Sequence, residues 1–244
     1  MSKQYKNPPL SEVVCEFQFG QDSSWDLTIP GLVYEKVRET FPKRKQIARV
    51  TMGLNANEGE VSPQIGATPI MQFASENEKL IMQVGVHLLS INSIKPYPSW
   101  EQFFPQILKS FDTYREVANP KSIHRIGLRY VNTIDIPGSG LDLEDYFEFR
   151  PYLGPKLPGV LGPFMMGVQL PCEDSRDMLN LQLASLAGLS IDVATIILDL
   201  DYFLAQPGSV ALDDVSMWLE SAHTHVEETF EGCITDRLRQ HFEE

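Results

Sequence analysis

Apolar and polar residues alternate along several short segments of the chain, which is the pattern of a β-strand with one buried face. In the segment Glu12–Phe19, the side chains of Val13, Cys15 and Phe17 fall on one face and the acidic residues on the other. The same alternation predicts further strands over Pro69–Ala74, Lys79–Ile94, His124–Ile136, Phe164–Leu170, Met178–Ser185 and Ala194–Leu204.

Apolar residues spaced by three and four positions predict two long helices. The first runs from Trp100 to about Val117 after a capping Ser99, and the second runs from Val215 to about Phe242 after Asp213 or Asp214. Shorter helices are predicted over Gly31–Phe41 and Leu141–Phe147, and loops over 55–69 and 150–162, where Gly, Pro and polar residues are frequent.

The order of strand, helix, several strands and long helix occurs twice along the chain. Trp100 with Phe111 in the first long helix parallels Trp218 with Phe230 in the second. This order predicts an α+β fold of two pseudo-symmetric repeats, residues 1–118 and 119–244, in one compact unit. Each repeat is typical of the TBP-like and helix-grip folds, in which an antiparallel sheet packs on a long helix. We expect the first strands of the two repeats to be neighbours, with Glu12 and Glu16 facing Arg125 and Arg129.

The two faces of the predicted sheet differ in chemistry. One face is apolar and includes Leu80, Met82, Val84, Val86, Met166 and Val168, which we expect to meet the helices. The other is polar and is interrupted by Gly85, Gly127 and Gly167. It has two interpretations, a binding platform or a solvated face whose charges pair across strands. The candidate binding residues on it are Gln83, His87, Arg125, Arg129, Gln169, Gln182, Asp199 and Asp201.

The sequence contains no nucleotide-binding loop, nucleophile elbow or zinc-protease motif. Asp199 and Asp201 are the best pair of acids, because residues two apart on a strand share a face about 7 Å apart. They suit either acid–base chemistry or a salt bridge to Arg125 or Arg129, so an enzyme remains a third alternative. No catalytic residue, metal ligand or cofactor is assigned.

The formal net charge is −13, of which −12 falls in residues 121–244. This field disfavours direct binding to nucleic acid or anionic membranes and favours a basic partner or simply solubility. One basic cluster stands apart and suits either an anion or a solvated surface: Lys36, Arg38, Lys43, Arg44, Lys45 and Arg49.

Cysteine usage and hydropathy bear on the compartment. Three widely spaced cysteines suit buried thiols in a reducing compartment. There is no apolar run long enough for a membrane helix, and the polar N-terminus lacks a secretion signal. We therefore expect a cytoplasmic protein that does not bind membranes.

Two segments carry a family resemblance. The first is Asn7-Pro8-Pro9-Leu10-x-Glu12-x-Val14-x-Glu16-Phe17-x-Phe19, and the second is Arg125-Ile126-Gly127-Leu128-Arg129-Tyr130-Val131-Asn132-x-Ile134-Asp135-Ile136-Pro137. With Tyr97-x-x-Trp100-x-x-Phe103 and the segment from His223 to Thr235, they resemble a sporadically distributed prokaryotic family of proteins of similar length. The resemblance covers essentially the whole chain and implies no activity or catalytic residue. Patchy distribution is typical of defence-associated genes.

These observations lead to one expectation about function and one alternative. The leading hypothesis is a non-enzymatic accessory or regulatory protein that binds another protein, encoded in the same operon of a prokaryotic defence or toxin–antitoxin system. The alternative is a small-molecule sensor or carrier that uses a helix-grip cavity or the polar sheet face. Both are compatible with a homo-oligomer.

Overall fold

The computed structural model of the chain describes residues 5–22, 25–57, 60–138, 142–157, 162–185 and 193–244. At 50–57 and 60–65 it describes the backbone alone. The strands are β1 (Leu10–Phe19), β2 (Lys43–Asn57), β3 (Glu60–Ala74), β4 (Leu80–Gly85), β5 (Leu88–Ile94), β6 (Ile123–Pro137), β7 (Met165–Cys172), β8 (Asp177–Ser185) and β9 (Val193–Leu204). The helices are α1 (Ile29–Val37), α2 (Trp100–Ala118), α3 (Val215–Cys233) and α4 (Asp236–His241).

The fold is α+β with an antiparallel sheet, as predicted. The nine strands found in the described residues follow the hydrogen-bonded order β2-β3-β4-β5-β1-β6-β9-β8-β7. The chain divides into two compact units, whose boundaries fall inside β1 and β6. We call residues 15–94 and 98–126 the α2 unit, and residues 1–14, 95–97 and 127–244 the α3 unit.

The core of the α2 unit contains stacked aromatic rings. The ring of Phe17 stacks on that of Phe111 with centroids 4.8 Å apart, and the ring of Phe19 stacks on Tyr114 at the same distance. Trp100 at the start of α2 is buried. The amphipathic pattern of α2 therefore predicted the correct face of the helix.

The core of the α3 unit lies between α3 and the apolar faces of β6, β8 and β9. Alternate residues on these strands are buried, as predicted, and so are Trp218, Leu219 and Val226 on the helix. The described part of the chain contains no helix that is both long and apolar enough to span a membrane.

The predicted loop over 55–69 is wrong, because 55–57 and 60–69 belong to strands. Residues of β2 and β3 pair in antiparallel register from Lys43 opposite Ala74 to Asn57 opposite Glu60. The ladder pairs the backbone N–H and C=O groups of the two strands, whatever their side chains are. The polar composition of the segment therefore did not prevent strand formation.

Two helix ends also differ from the prediction. The second long helix ends at Cys233, because Ile234 adopts an extended backbone and forms a β-bridge with Phe147. The Thr235 side chain then accepts a hydrogen bond from the Leu238 backbone N–H and begins α4. Near the N-terminus, α1 covers Ile29–Val37 in place of Gly31–Phe41.

The short helix predicted over Leu141–Phe147 is a single 3₁₀ turn, Leu143–Asp145. Residue 141 lies outside the described residues. Asp142 precedes the turn, and its side chain accepts a hydrogen bond from the backbone N–H of Glu144. The segment is therefore capped at its start, but its helical backbone continues for only one turn.

The strand predicted over Lys79–Ile94 is a hairpin of β4 and β5. Val86 and His87 form its turn, and His87 has a positive φ of 52°. Val86 is 45% exposed, so the prediction that it meets a helix is wrong. His87 likewise stands in the turn and not on a strand face.

Candidate functional site

The candidate site consists of two polar rows that cross β6, β9, β8 and β7 in the α3 unit. In one row Arg129 pairs with Asp201, Asp201 with Asn180, and Asn180 with Gln169. In the neighbouring row Asp199 pairs with Gln182, and Gln182 with Gly167. Because side chains paired in register share a face, the structure brings together these predicted site residues: Arg129, Gln169, Gln182, Asp199 and Asp201.

An ion pair lies at the centre of these rows. The Nε–H of Arg129 donates to Oδ1 of Asp199 at 2.8 Å, and its Nη2 donates to Oδ2. This bidentate hydrogen bonding to Asp199 raises the pKa of the Arg129 guanidinium. Asp199 is buried while half of the Arg129 side chain is exposed. Of the two roles predicted for Asp199, acid–base chemistry and a salt bridge, the structure shows the salt bridge to Arg129.

The other three predicted site residues belong to the α2 unit. Gln83 lies on β4 opposite Gln72 of β3 and Ser90 of β5. His87 lies in the β4–β5 turn, where its carbonyl accepts a hydrogen bond from the Phe19 N–H at 2.9 Å. Arg125 on β6 approaches Glu16 of β1 at 4.0 Å.

Glu16 and Arg125 form one of the expected pairs between acids on β1 and arginines on β6. Glu16 also binds Arg49 of β2, with Oε2 3.1 Å from Nη1, a partner that the sequence analysis did not assign. Arg129 binds Asp199 of β9. A diagonal partner on a neighbouring strand was therefore as accessible to Arg129 as the predicted one.

A buried carboxylate that the sequence analysis missed lies at the start of β8. Asp177 is fully buried and accepts hydrogen bonds from Arg176, from Tyr202 Oη at 3.1 Å and from Trp218 Nε1 at 3.0 Å. It falls between the strands predicted over Phe164–Leu170 and Met178–Ser185, so the alternation gave no signal of its burial. Since its oxygens already have three donors, the arrangement supports a structural role.

Cys172 pairs with Asp177 across the β7–β8 hairpin and is half-buried. Burial, reinforced by the nearby charges of Asp177 and Glu173, raises the pKa of its thiol. The thiol is therefore the dominant form at neutral pH, and the site does not favour nucleophilic catalysis. The described residues include no group of three or more His, Cys, Asp or Glu side chains placed to hold a metal ion.

The outer edge of β7 is the feature of this unit that sequence reasoning missed most clearly. β7 is the last strand of the sheet order, and every residue from Met165 to Pro171 is exposed or half-buried. Val168 and Leu170 are each 41% exposed, so the prediction that Val168 meets a helix is wrong. Pro171 was the available signal, because proline inside a sheet is confined to edges and bulges.

The chain was also compared with known proteins. No protein-family model matches it. No curated protein matches it at a significant level.

Proposed function

We propose that the chain is a non-enzymatic accessory protein that binds another protein, and that the exposed edge of β7 is where the partner docks. The partner is an extended, basic segment that adds a strand to this edge. The observation that carries the proposal is an uncharged edge strand beside the two polar rows of the α3 unit.

The register of β7 sets the direction of its backbone groups. The Ser185 N–H donates to the Phe164 carbonyl at 3.0 Å, so 164 and 185 form a hydrogen-bonded pair. In an antiparallel ladder such pairs alternate. The even-numbered residues of β7 therefore bond to β8, and the N–H groups of Met165, Gly167 and Gln169 point outward.

An edge with outward N–H and C=O groups is a template for another strand. Soluble proteins usually protect such an edge with charged residues, yet Met165–Cys172 contains none. Pro171 falls at an outward position, where its missing N–H costs no hydrogen bond to β8. No described strand pairs with these three donors, which is the arrangement that β-strand addition uses.

The polar rows provide the chemistry for selecting the partner. Gln169 lies on β7 itself, and Asn180 and Asp201 follow it across β8 and β9. The net charge of −12 over residues 121–244 favours a basic segment and speeds its association. The bidentate Arg129–Asp199 pair supports a binding surface over an acid–base pair, because one of the two acids is already engaged.

We also propose that residues 1–118 and 119–244 are TBP-like repeats, and that the protein is cytoplasmic and encoded in a prokaryotic defence or toxin–antitoxin operon. Two observations support the repeats: α2 and α3 each have 19 residues, and each has a buried tryptophan in its first turn.

Hydrogen exchange of the β7 amides tests the docking edge, with the protein encoded by the adjacent gene as the probe. In the isolated chain the amides of Met165, Gly167 and Gln169 should exchange rapidly. In the complex their exchange should slow by about tenfold or more. Binding that leaves these amides unprotected would refute the edge, and failure to bind would refute the operon partner. Protection that grows with concentration of the isolated chain would assign the edge to a second copy.

A pair of variants at one position sharpens the test. Gln169→Pro removes an outward N–H without touching the ladder to β8, whereas Gln169→Ala removes the side chain and keeps the N–H. The proline variant should weaken partner binding more than the alanine variant. Equal affinities would show that the backbone donor is not used.

A further inference from the structure

The α2 unit contains a cleft of about 350 Å³ between α1 and the strands β2, β3 and β4. Ile70, Phe73 and Val84, all buried, form its apolar floor. Trp25 and Tyr34 line it from the side of α1, and Arg44 and Gln46 of β2 line it with polar groups. Its volume lies at the small end of the range for ligand sites, about 300–1,000 Å³.

Three side chains in this cleft, Arg44, Tyr34 and Phe73, contact one another in that order. The ring centroids of Tyr34 and Phe73 are 5.2 Å apart, and the Arg44 guanidinium carbon lies 4.9 Å from the centre of the Tyr34 ring. The Tyr34 hydroxyl donates to the Pro42 carbonyl at 3.0 Å, which fixes the ring. Arg44 is thereby held over an aromatic face beside an apolar floor.

Arg44 differs from other described arginines in its partner. Arg38, Arg49 and Arg129 each pair with a carboxylate, as do several more. Among the described side chains, no carboxylate pairs with Arg44, although the chain carries an excess of acid. A guanidinium beside an apolar wall attracts an anion and repels a cationic ligand.

A second donor belongs to the same wall. The indole N–H of Trp25 is buried and lacks a hydrogen-bond partner within the described structure. A buried donor without an acceptor costs about 1–3 kcal/mol. Because this N–H is itself buried, Arg44 is the donor directly available to a ligand in the cleft.

From these contacts we infer that the cleft binds a small, planar, apolar molecule with one anionic oxygen group. The apolar body packs against Tyr34 and Trp25 above the floor of the cleft, and the anionic group binds Arg44. This site is independent of the β7 edge. It gives one residue of the basic cluster, Arg44, a specific role, and it places the small-molecule alternative in the α2 unit.

Calorimetric titration with three naphthalene derivatives tests the site. The probes are 2-naphthoate, 2-naphthyl phosphate and the uncharged 2-naphthamide. At least one of the anions should bind about ten- to a hundredfold more tightly than the amide, because it makes charge-assisted hydrogen bonds. The tighter of the two identifies a carboxylate or a phosphate ligand. Equal binding of all three probes would overturn the assignment of an anion.

Indole ¹⁵N spectra locate the bound probe. The chain has three tryptophans, and the Trp25→Phe variant identifies the Trp25 signal by its loss. The anionic probe should move that signal at saturation and leave those of Trp100 and Trp218 in place. Movement of the other two signals with Trp25 unchanged would place binding elsewhere and refute the cleft.

Substitutions separate the two halves of the proposed ligand. Arg44→Gln should lower the affinity for the anionic probe about tenfold or more and should change the affinity for the amide little. The matched control is Arg38→Gln, which removes an exposed arginine paired with Glu35 on the same surface. Gly31→Leu should weaken every probe, because a Cβ at Gly31 of this lining helix meets nothing within 4 Å. Unchanged affinity in both Arg44→Gln and Gly31→Leu would refute the site.

Discussion

The indole N–H of Trp218 donates a hydrogen bond to Oδ1 of Asp177 at 3.0 Å, so a residue in the first turn of α3 is tied to the first residue of β8. Tyr202 and Arg176 also donate to this carboxylate. The helix is therefore positioned on the sheet by a directional contact in addition to apolar packing.

Removing this carboxylate should destabilise the chain strongly. Asp177→Ala leaves the buried donors of Tyr202 and Trp218 without their acceptor, and we expect a loss of about 3–5 kcal/mol in the free energy of unfolding. Trp218→Phe keeps the ring and removes one donor, so its cost should be about 1–3 kcal/mol. Urea unfolding measures both. Asp112→Asn, at an exposed position on α2, is the control and should change stability little.

The sequence predicted strands where one face is buried, and it failed where pairing or coverage decides the outcome. Period-two alternation located β1, β6, β8 and β9, because each has a buried apolar face. It could not locate the β2–β3 hairpin, whose composition is polar and whose strands are held by a long ladder. Nor could it show that β7 lies at the edge of the sheet. Val168 and Leu181 are both apolar residues in alternating segments, and the alternation does not tell which of them is covered.

The candidate site was predicted in part for the same reason. Residue parity placed Arg129, Asp199 and Asp201 on one face correctly. The alternation of side chains between the two faces of a strand cannot decide which acid an arginine binds. Nor can it show that an acid such as Asp177 has enough hydrogen-bond donors around it to be buried. Those relationships depend on neighbouring strands and on a helix far away in sequence.

The Arg129–Asp199 pair should show coupling in a double-mutant cycle. Arg129→Ala leaves a buried carboxylate without its cation, so it should cost more than Asp199→Asn. Because half of the Arg129 side chain is exposed, we expect a coupling energy of only about 0.5–2 kcal/mol. Additive effects in chemical denaturation would show that the ion pair does not contribute to folding.

Reversing the two acids of the polar rows should have different effects. Asp199→Lys places a cation against Arg129 at a buried position, and it should destabilise the chain by about 2–4 kcal/mol. Asp201 is half-buried, so Asp201→Lys should cost less and should weaken binding of a basic partner. Melting curves combined with binding at low and high salt measure both effects. Normal partner binding by Asp201→Lys at both salt concentrations would exclude the polar rows from the interface.

Val168 and Leu181 stand opposite each other on β7 and β8 and provide a matched pair. Val168 is 41% exposed and Leu181 is 4% exposed. Val168→Ala should therefore cost well under 1 kcal/mol, whereas Leu181→Ala should cost about 2–4 kcal/mol because it opens a cavity in the core. Similar losses for the two variants in urea unfolding would mean that the apolar side of β7 is covered.

Alkaline pH should destabilise the folded chain through Cys233. Burial raises the pKa of this thiol from an ordinary value of 9.0 to about 12. The folded state therefore keeps a proton that the unfolded state releases, so the stabilisation is present below pH 9 and is lost as the pH rises from about 9 toward 12. Each pH unit within that window removes up to about 1.4 kcal/mol for this one group. Cys233→Ala should cost stability at pH 7 and should fall less steeply than the wild type between pH 9 and pH 11 in urea unfolding. Parallel slopes for the two proteins would show that the Cys233 thiol is not protected from ionisation.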